Sequence, residues 1–442
     1  MKDFRSYAVL VLLPLLILCI PREVSSQERW AAVIPTEEAT SILKSCGEGS
    51  EAFTTLGNDT VILCGSTFIE ALKKKQFNFQ SFPFRKAEEA YLMTTKDPAL
   101  RNIIFPGVRT IWKKNGFRVL LADETAKMGL ASKLSDFTRV DPLPQNCVVL
   151  TQPCSPQKEK PPKEDYIETM LKRLDNMAFQ ADIRALADLK TRYTYSTGAV
   201  KAVEYCEKIF QSLGMKTRRL PFGSSSMPRE NLEAFYPGFD SANAGEVVII
   251  GHLDSTSPQT STLAPGADDN GSGAAGVLAL ARFINGLKCR ADVRFLEVLG
   301  EEQGILGSKA YVASLKPEEL AKIRGVINMD MIGFDNTPPL SFMIETASFN
   351  RQMAEQFTDV ARKYTSMTSQ ISYNPWGSDH MPFLKKEIPA VLTIESEFDD
   401  NPTYHQVTDT PDRVNLDLCA QMLRLNAAVL CEMASAERSA IH

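Results

Sequence analysis

The sequence predicts an α/β protein: a three-layer α/β/α fold with a mixed, mostly parallel sheet, preceded by a small α+β N-terminal domain. Its 442 residues suit two domains of about 100–200 residues each. A polar, proline-bearing stretch at 155–164 separates two regions of different pattern. Beyond it, near-continuous apolar runs alternate with helical periodicity, which is typical of buried parallel strands with helices on both faces.

The overall composition is that of an ordinary globular protein. Hydrophobic residues make up 44% and charged residues 23%, so disorder, a coiled coil and a collagen-like chain are all disfavoured. The formal net charge of −5 argues against a large basic surface, and we therefore expect no nucleic-acid partner.

The first 26 residues have the pattern of a secretory signal peptide. Lys2 and Arg5 precede an apolar run at 8–20 that is too short to span a bilayer as a helix, and small residues follow it. We therefore expect cleavage after residues 1–26, export to a secreted or periplasmic location, and no integral membrane span in the mature chain. An uncleaved anchor and lipid attachment at Cys19 are the alternatives.

Residues 27–153 form the predicted N-terminal domain, in which short strand-like runs mix with short helical segments. They contain no histidine and no spacing typical of a catalytic site. Two roles stay open for this domain: a prosegment that inhibits the enzyme or assists its folding, or a permanent binding module. A linker at 154–165 leads into the second domain, 166–442.

Export also bears on the cysteines. The chain has nine, and removal of Cys19 with the signal peptide leaves eight, an even number in an oxidising compartment. Cys46 with Cys64, and Cys147 with Cys154, are candidate disulfide pairs. The other four lie in apolar or helical stretches, where buried free thiols are equally plausible. These four are Cys206, Cys289, Cys419 and Cys431.

In the second domain, side chains suited to metal binding follow the ends of successive predicted strands. Ligands of open α/β sheets bind just beyond the carboxyl ends of the strands, so these side chains should gather in one cleft. Taken singly, each is more often a helix cap, a solvated carboxylate or a structural histidine, but together they indicate a site. The residues are His252, Asp254, Asp268, Glu301, Glu302, Asp330, His405 and Asp409.

The mixture of imidazoles and carboxylates indicates Zn²⁺ or a similar divalent ion. Five such ligands exceed the needs of one tetrahedral zinc ion that keeps an open position. They suit two ions about 3.5–4 Å apart that share one carboxylate and a water. The adjacent Glu301 and Glu302 can then have separate roles, one binding metal and the other transferring protons.

Several motifs occur in the second domain in a fixed order. They are His-x-Asp after a strand, Pro-Gly-Ala-Asp-Asp-Asn-x-Ser-Gly, Gly-Glu-Glu-x-Gly-x-x-Gly-Ser, Asn-x-Asp-Met, the segment 377–383, and His-x-x-x-Asp-Thr. In these motifs the domain resembles the co-catalytic zinc aminopeptidases, the family of secreted bacterial leucyl aminopeptidases. The resemblance spans residues 166–435, about 60% of the chain. It implies a zinc exopeptidase-like fold with two Zn²⁺ or similar divalent ions per chain.

The resemblance also implies a metal ligand set. His252, partnered by Asp330, would hold one ion. Glu302, partnered by His405, would hold the other. Asp268 would bridge the two ions, with an unusual cis peptide bond after it.

The remaining site residues would support the chemistry. Glu301 would act as the general base and then as the general acid. Asp254, two residues after His252, would fix the tautomer of that imidazole. Asp409 would support His405 in the same way.

These roles imply a metallo-aminopeptidase that hydrolyses the N-terminal peptide bond of peptides with a free N-terminus, favouring bulky apolar first residues. A water activated by both metals would attack the bond, with Glu301 as the base. A related zinc carboxypeptidase or dipeptidase is the nearest alternative, because it would share the metal ligands. A non-catalytic ectodomain of the same fold is less favoured, since no expected ligand is missing.

Overall fold

The computed structural model describes residues 29–435 apart from short internal stretches. The expected signal peptide, 1–26, and the centre of the expected linker lie outside the described residues. The internal stretches left out are 47–49, 86, 96–103, 115, 132–137, 157–164, 224–227, 336–337 and 397–400.

The N-terminal region is an α+β unit. Its strand β7 shows why: Val119 and Leu121 enter one apolar cluster, whereas Leu120 and Ala122 enter another. Successive side chains of a strand point to opposite faces, so both faces of β7 are covered. The elements of this unit are β1 Arg29–Pro35, α1 Thr36–Cys46, β2 Ser50–Leu56, β3 Asp59–Gly65, α2 Ser66–Lys74, β4 Gln80–Pro83, β5 Glu89–Thr95, β6 Arg109–Lys114, β7 Phe117–Ala122, α3 Glu124–Ala131, β8 Thr138–Pro142 and β9 Cys147–Leu150.

The second region alternates helices and buried strands. On β12, Val247 and Ile249 belong to one core cluster, and Val248 and Ile250 belong to the cluster on the other face. The elements are α4 Tyr166–Leu171, α5 Asn176–Ala187, α6 Thr197–Ser212, β10 Lys216–Phe222, β11 Arg229–Tyr236, α7 Ser241–Ala244, β12 Glu246–His252, α8 Gly271–Ile284, β13 Asp292–Val298, α9 Leu306–Ser314, α10 Pro317–Leu320, β14 Ile323–Met329, β15 Ser341–Glu345, α11 Arg351–Tyr364, β16 Thr368–Ser372, α12 Met381–Leu384, β17 Ala390–Glu395 and α13 Leu416–Ala434.

Helices cover the central sheet of the second region on both faces. Strands β13, β12, β14 and β17 lie side by side and parallel. On the two flanks of this group, β11 pairs antiparallel with β13, and β15 pairs antiparallel with β17. Helices α5, α8 and α13 pack together on one face, and α9 and α12 supply side chains to the core of the other. The predicted three-layer fold with a mixed, mostly parallel sheet is confirmed.

The same sheet continues into the N-terminal unit. Within the described residues its order is β10-β11-β13-β12-β14-β17-β15-β16-β9-β2-β3-β1-β4, and β6-β7-β5-β8 form a second sheet. The junction is an antiparallel pair of β9 and β16, in which Leu150 lies opposite Ser372. Next to it, the backbone N–H of Tyr373 donates to the carbonyl of Val149 at 2.7 Å. The two units are therefore joined by strand pairing as well as by the linker.

The expected disulfide between Cys147 and Cys154 is absent from the structure. Both residues are free thiols; Cys147 lies opposite Thr54 of β2, and Cys154 forms a backbone bridge to Ser369 of β16. The partner proposed for Cys64, Cys46, has a side chain outside the described residues. The four cysteines expected in apolar or helical stretches are buried free thiols: Cys206, Cys289, Cys419 and Cys431.

Candidate two-metal active site

The candidate site lies at the carboxyl ends of adjacent parallel strands of the second region. His252 is the last residue of β12, and Asp330 directly follows β14. Glu301 and Glu302 stand in the turn after β13. Because β12 lies between β13 and β14, these three strand ends bring the residues together as the sequence predicts.

The first potential metal group consists of His252, Asp269 and Asp330, whose ligand atoms all lie within 4.8 Å of one another. Nε2 of His252 is 3.3 Å from Oδ1 of Asp330 and 3.5 Å from Oδ1 of Asp269. All three side chains are buried.

The second group consists of Asp269, Glu302 and His405. Nε2 of His405 is 3.1 Å from Oδ2 of Asp269 and 3.1 Å from Oε2 of Glu302. The two oxygens of Asp269 therefore face one histidine each, so a single carboxylate belongs to both groups. This is the arrangement that two neighbouring divalent ions require.

The bridging position differs by one residue from the sequence prediction. The prediction of Asp268 was wrong, because its carboxylate is turned away from both histidines. It accepts hydrogen bonds from Ser272 at 3.1 Å and from Asn401 at 3.1 Å. The cis peptide bond is likewise displaced, and it joins Asp269 to Asn270.

Asn270 ties the Asp269 loop to the end of β14. It caps helix α8 by accepting a hydrogen bond from the N–H of Gly273 at 2.8 Å, and its amide donates to the carbonyl of Met329 at 3.0 Å. Gly273 is required here, since a Cβ at this position would lie 2.2 Å from that same carbonyl oxygen. Sequence reasoning missed Asn270, although its place immediately before a helix is a capping signal.

Asp254 holds the glutamate pair as well as lying beside the imidazole of His252. Its two carboxylate oxygens accept from the backbone N–H of Glu301 at 3.2 Å and of Glu302 at 3.1 Å. Nδ1 of His252 is 3.5 Å from the carboxylate of Asp254 and 3.1 Å from its backbone carbonyl. One buried side chain thus positions three residues of the site.

Asp409 supports the loop rather than the imidazole of His405. Its oxygens accept hydrogen bonds from the backbone N–H groups of Asp268 at 2.9 Å and Asp269 at 3.0 Å. The predicted role beside His405 is therefore replaced by one that fixes the backbone at the shared carboxylate.

Ser378 is a further residue that sequence reasoning missed. Its hydroxyl donates to Oδ2 of Asp330 at 2.7 Å and is itself bonded by the amide of Asn328 at 2.8 Å. The segment 377–383 had been recognised as a motif, but a serine carries no local signal of the carboxylate it contacts.

The electrostatics of the site favour added cations. Burial, with the charge of Asp269, raises the pKa of Glu302 to about 7, although His405 opposes the shift. Burial, with the charges of Glu302 and Asp330, raises the pKa of Glu301 well above its ordinary value. The pKa of His405 is also well above its usual range, because Glu302 and Asp269 favour the imidazolium despite burial.

The side chains of the site are suited to binding zinc. Within the described residues, no donor except the imidazole of His405 reaches Oδ2 of Asp269 or either carboxylate oxygen of Glu302. Buried carboxylates that lack donors are costly, and a bound cation removes that cost. Imidazole nitrogens and carboxylate oxygens are the ligands expected for zinc sites of this kind.

The fold and site define a class of protein, the two-metal hydrolases built on an α/β/α sheet. More specifically, residues 231–430 match Peptidase family M28. This match lies within the second region, and the resemblance of that region to the co-catalytic zinc aminopeptidases is confirmed. The prediction of a peptidase hydrolase is confirmed with it, and the two residue groups described above could each hold a metal ion.

Known relatives agree with this assignment. A probable leucine aminopeptidase of Trichophyton verrucosum is 25% identical over 286 residues, covering 61% of this chain and 76% of the relative. The LapA aminopeptidase of Legionella pneumophila has a similar fold, with a TM-score of 0.56, 19% identity, and coverage of 79% of this chain and 98% of its own.

Two further structures share the fold. A zinc aminopeptidase of Bacillus subtilis has a TM-score of 0.52 and 15% identity, covering 60% of this chain and 97% of its own. LapB of Legionella pneumophila has a TM-score of 0.52 and 16% identity, covering 92% of this chain and 100% of its own. The LapB match extends into the N-terminal unit, so a similar overall architecture exists in another protein.

Proposed function

We propose that this protein is an exported aminopeptidase that hydrolyses the first peptide bond of peptides with a free N-terminus. One observation carries the proposal: Asp269 lies between His252 and His405, and each histidine has a further carboxylate of its own. His252 and Asp330 would hold one zinc ion. Glu302 and His405 would hold the other, and Asp269 would contact both.

The reaction needs a water nucleophile and a proton carrier. Two zinc ions held at these groups supply an acidified water and polarise the peptide carbonyl. Glu301 is the proposed proton carrier, since it is buried beside the site and its N–H is fixed by Asp254. As a carboxylate, Glu301 would accept a proton from the water, and as a carboxylic acid it would return that proton to the leaving amine.

The restriction to N-terminal residues and the preference for bulky apolar side chains belong to this proposal. The surplus of carboxylates around the two metal groups is suited to binding a substrate ammonium group. The leucine aminopeptidase named among the relatives supports an apolar first residue. A panel of aminoacyl anilides, read as kcat/KM, tests both points.

An N-acetylated peptide separates this function from the nearest alternative. An aminopeptidase leaves the blocked peptide intact and cleaves the unblocked control of the same sequence. Cleavage of the blocked peptide from its C-terminus would instead support a zinc carboxypeptidase. A dipeptidase would cleave unblocked dipeptides alone, so unblocked peptides longer than two residues are tested as well. A non-catalytic ectodomain would cleave none of the substrates despite a full zinc complement.

Export is also part of the proposal, and it is supported by the charged and apolar pattern of the first 26 residues. Within the described residues, no helix combines the length and apolarity that a membrane crossing requires. Mass spectrometry of the mature N-terminus tests the expected cleavage after residue 26. An intact residue 1 on the exported protein would contradict it.

A further inference from the structure

The loop between β16 and α12 passes beside the metal groups. Near its end, Ser378 donates a hydrogen bond to Oδ2 of Asp330 at 2.7 Å. A displacement of this loop would therefore move a proposed metal ligand. What holds the loop in place is consequently important for catalysis.

The first half of this loop is held by the N-terminal unit. Arg139 of β8 donates to the side-chain carbonyl of Asn374 and, at 3.5 Å, to the backbone carbonyl of Pro375. The amide of Asn374 in turn donates to the hydroxyl of Thr94 on β5 at 3.0 Å. Arg139 is itself paired with Asp141 at 2.9 Å. Two neighbouring strands of the second sheet, β5 and β8, thus both form hydrogen bonds with Asn374 of the loop.

The start of the loop is fixed by the same unit. The backbone N–H of Thr151 donates to the carbonyl of Ile371 at 2.9 Å, and the N–H of Tyr373 donates to the carbonyl of Val149 at 2.7 Å. These bonds continue the pairing of β9 with β16 up to the loop. The backbone is therefore guided by residues of the N-terminal unit before it reaches the site.

An apolar cluster supports two other ligand-bearing segments. Met331, which follows the ligand Asp330, and Tyr404, which precedes the ligand His405, are both buried in it. Most other members of this cluster come from the N-terminal unit, among them Trp112. The unit therefore shares an apolar core with a residue next to one proposed ligand of each metal group.

We propose that the N-terminal unit is a permanent positioning lobe of the active site, and that Arg139 is a positioning residue that acts through the loop 373–378. The contacts are those of an internal interface: paired strands, a shared apolar core and side-chain hydrogen bonds. A removable prosegment would leave the edge of β16 and this core exposed. The LapB fold, which matches 92% of the chain, contains a comparable combination of units.

The first experiment separates a permanent lobe from a prosegment. A specific protease site is inserted into 157–164 of the full chain, which is then cut while folded. We expect the two fragments to elute together, with kcat/KM within about two-fold of the uncut protein. Separation that leaves the 166–442 fragment fully active, or activation by about ten-fold or more on cutting, would overturn the proposal.

The second experiment tests the positioning residue. We expect Arg139→Ala to lower kcat on a leucyl anilide by about ten-fold with little change in KM, because small displacements of catalytic groups are costly. Arg139→Lys should recover part of the loss. The matched control is Arg29→Ala, which removes an arginine paired with Glu89 in the same unit. A kcat of Arg139→Ala equal to that of the control would overturn the assignment.

A double-mutant cycle with Asn374→Ala makes the test specific. If Arg139 acts through Asn374, the double variant should be little worse than either single variant. Fully additive losses would show that the two residues act separately, which contradicts the proposal.

The proposal rests on the proposed aminopeptidase function. A measurement that needs no substrate therefore separates the failure of one from the failure of the other. Release of zinc to a chelator should be several-fold faster in Arg139→Ala than in Arg29→Ala, since the loop holds Asp330 through Ser378. Equal rates of zinc release in the two variants would overturn the proposal that Arg139 acts on Asp330 through the loop. Faster release in a protein that cleaves no anilide would leave the positioning role standing while the proposed function fails.

Discussion

Two buried glutamates in the two halves of the molecule have opposite surroundings. Glu88, in the N-terminal unit, accepts from Nε of Arg109 at 3.0 Å and from the backbone N–H of Arg85 at 2.7 Å. These partners outweigh burial and lower the pKa of Glu88. Among the described residues, the imidazole of His405 is the only donor that reaches the carboxylate of Glu302 at the metal centre, and burial raises the pKa of Glu302 to about 7.

The difference distinguishes a structural carboxylate from a ligand carboxylate. A buried charge that stabilises a fold is supplied with donors by its own chain. A carboxylate that binds a metal ion instead needs few donors from its own chain, because its cation comes from solution. The proposed ligands Asp269 and Glu302 have surroundings of this second kind, and Glu88 has surroundings of the first kind.

The largest expected effect tests which aspartate is shared. Asp269→Asn should lower the zinc content from two ions per chain to one or none and abolish turnover, since one metal group loses its oxygen ligand and the shared negative charge is removed from both. The matched control is Asp268→Asn, which keeps an oxygen to accept from Ser272 or Asn401. Elemental analysis of the purified variants measures the zinc content. A normal zinc content in Asp269→Asn together with a reduced zinc content in Asp268→Asn would favour Asp268, the residue predicted from the sequence, as the bridging ligand.

Glu301→Gln should have the next largest effect. Without a proton carrier, kcat should fall by about 10²–10⁴-fold, while the fold and two zinc ions per chain are retained. Glu88→Gln is the control, because it changes a buried glutamate that lies far from the chemistry in sequence and has structural partners. Near-normal turnover of Glu301→Gln would remove Glu301 from the mechanism.

The pH dependence of stability should have opposite signs at the two sites. In zinc-free protein, Glu302 holds its proton up to a pKa of about 7, against an ordinary value of 4.5 in the unfolded chain. The free energy of unfolding should therefore fall as the pH rises from about 4.5 to about 7. The raised pKa values of His252 and His405 act in the same direction at higher pH. Thermal melts with and without a chelator measure this, and the stabilisation by zinc should grow with pH. A zinc-free protein that becomes more stable over this interval would contradict the assignment.

The smallest expected effect is at Glu88. Its lowered pKa gives stability that is present above the unfolded value of 4.5 and is lost as the pH falls through the folded value. Glu88→Gln should cost about 1 kcal/mol at neutral pH, because Arg109 is partly exposed to solvent. The free energy of unfolding of the variant should also fall less steeply than that of the parent as the pH is lowered. Turnover should be unchanged, and a change in kcat would show that the unit's core is coupled to the chemistry.

Much of the site could be predicted because its chemistry follows strand ends. Apolar runs ending in His252, Asp330 and the Glu301–Glu302 pair are local signals, and the parallel sheet brings them together. The choice between Asp268 and Asp269 has no such signal, since adjacent carboxylates in a loop are alike in sequence. It is decided by distant contacts, in which Asn270 reaches Met329 and Asp409 holds the loop backbone.

The junction of the two units was beyond sequence reasoning for the same reason. The pairing of Leu150 with Ser372 joins strands that are far apart in the chain, and neither strand contains a motif that indicates its partner. The linker predicted a boundary between two domains, and its polar, proline-rich composition contains no information about distant strand pairing.

The pairing of β9 with β16 also bears on solubility. A strand with unpaired backbone groups at the rim of a sheet is a template for aggregation. By adding β9, β2, β3, β1 and β4, the chain moves that rim from beside the active centre to the far side of the N-terminal unit. Production of the second region alone would leave β16 as a bare rim next to uncovered apolar side chains, and we expect such a truncated chain to precipitate.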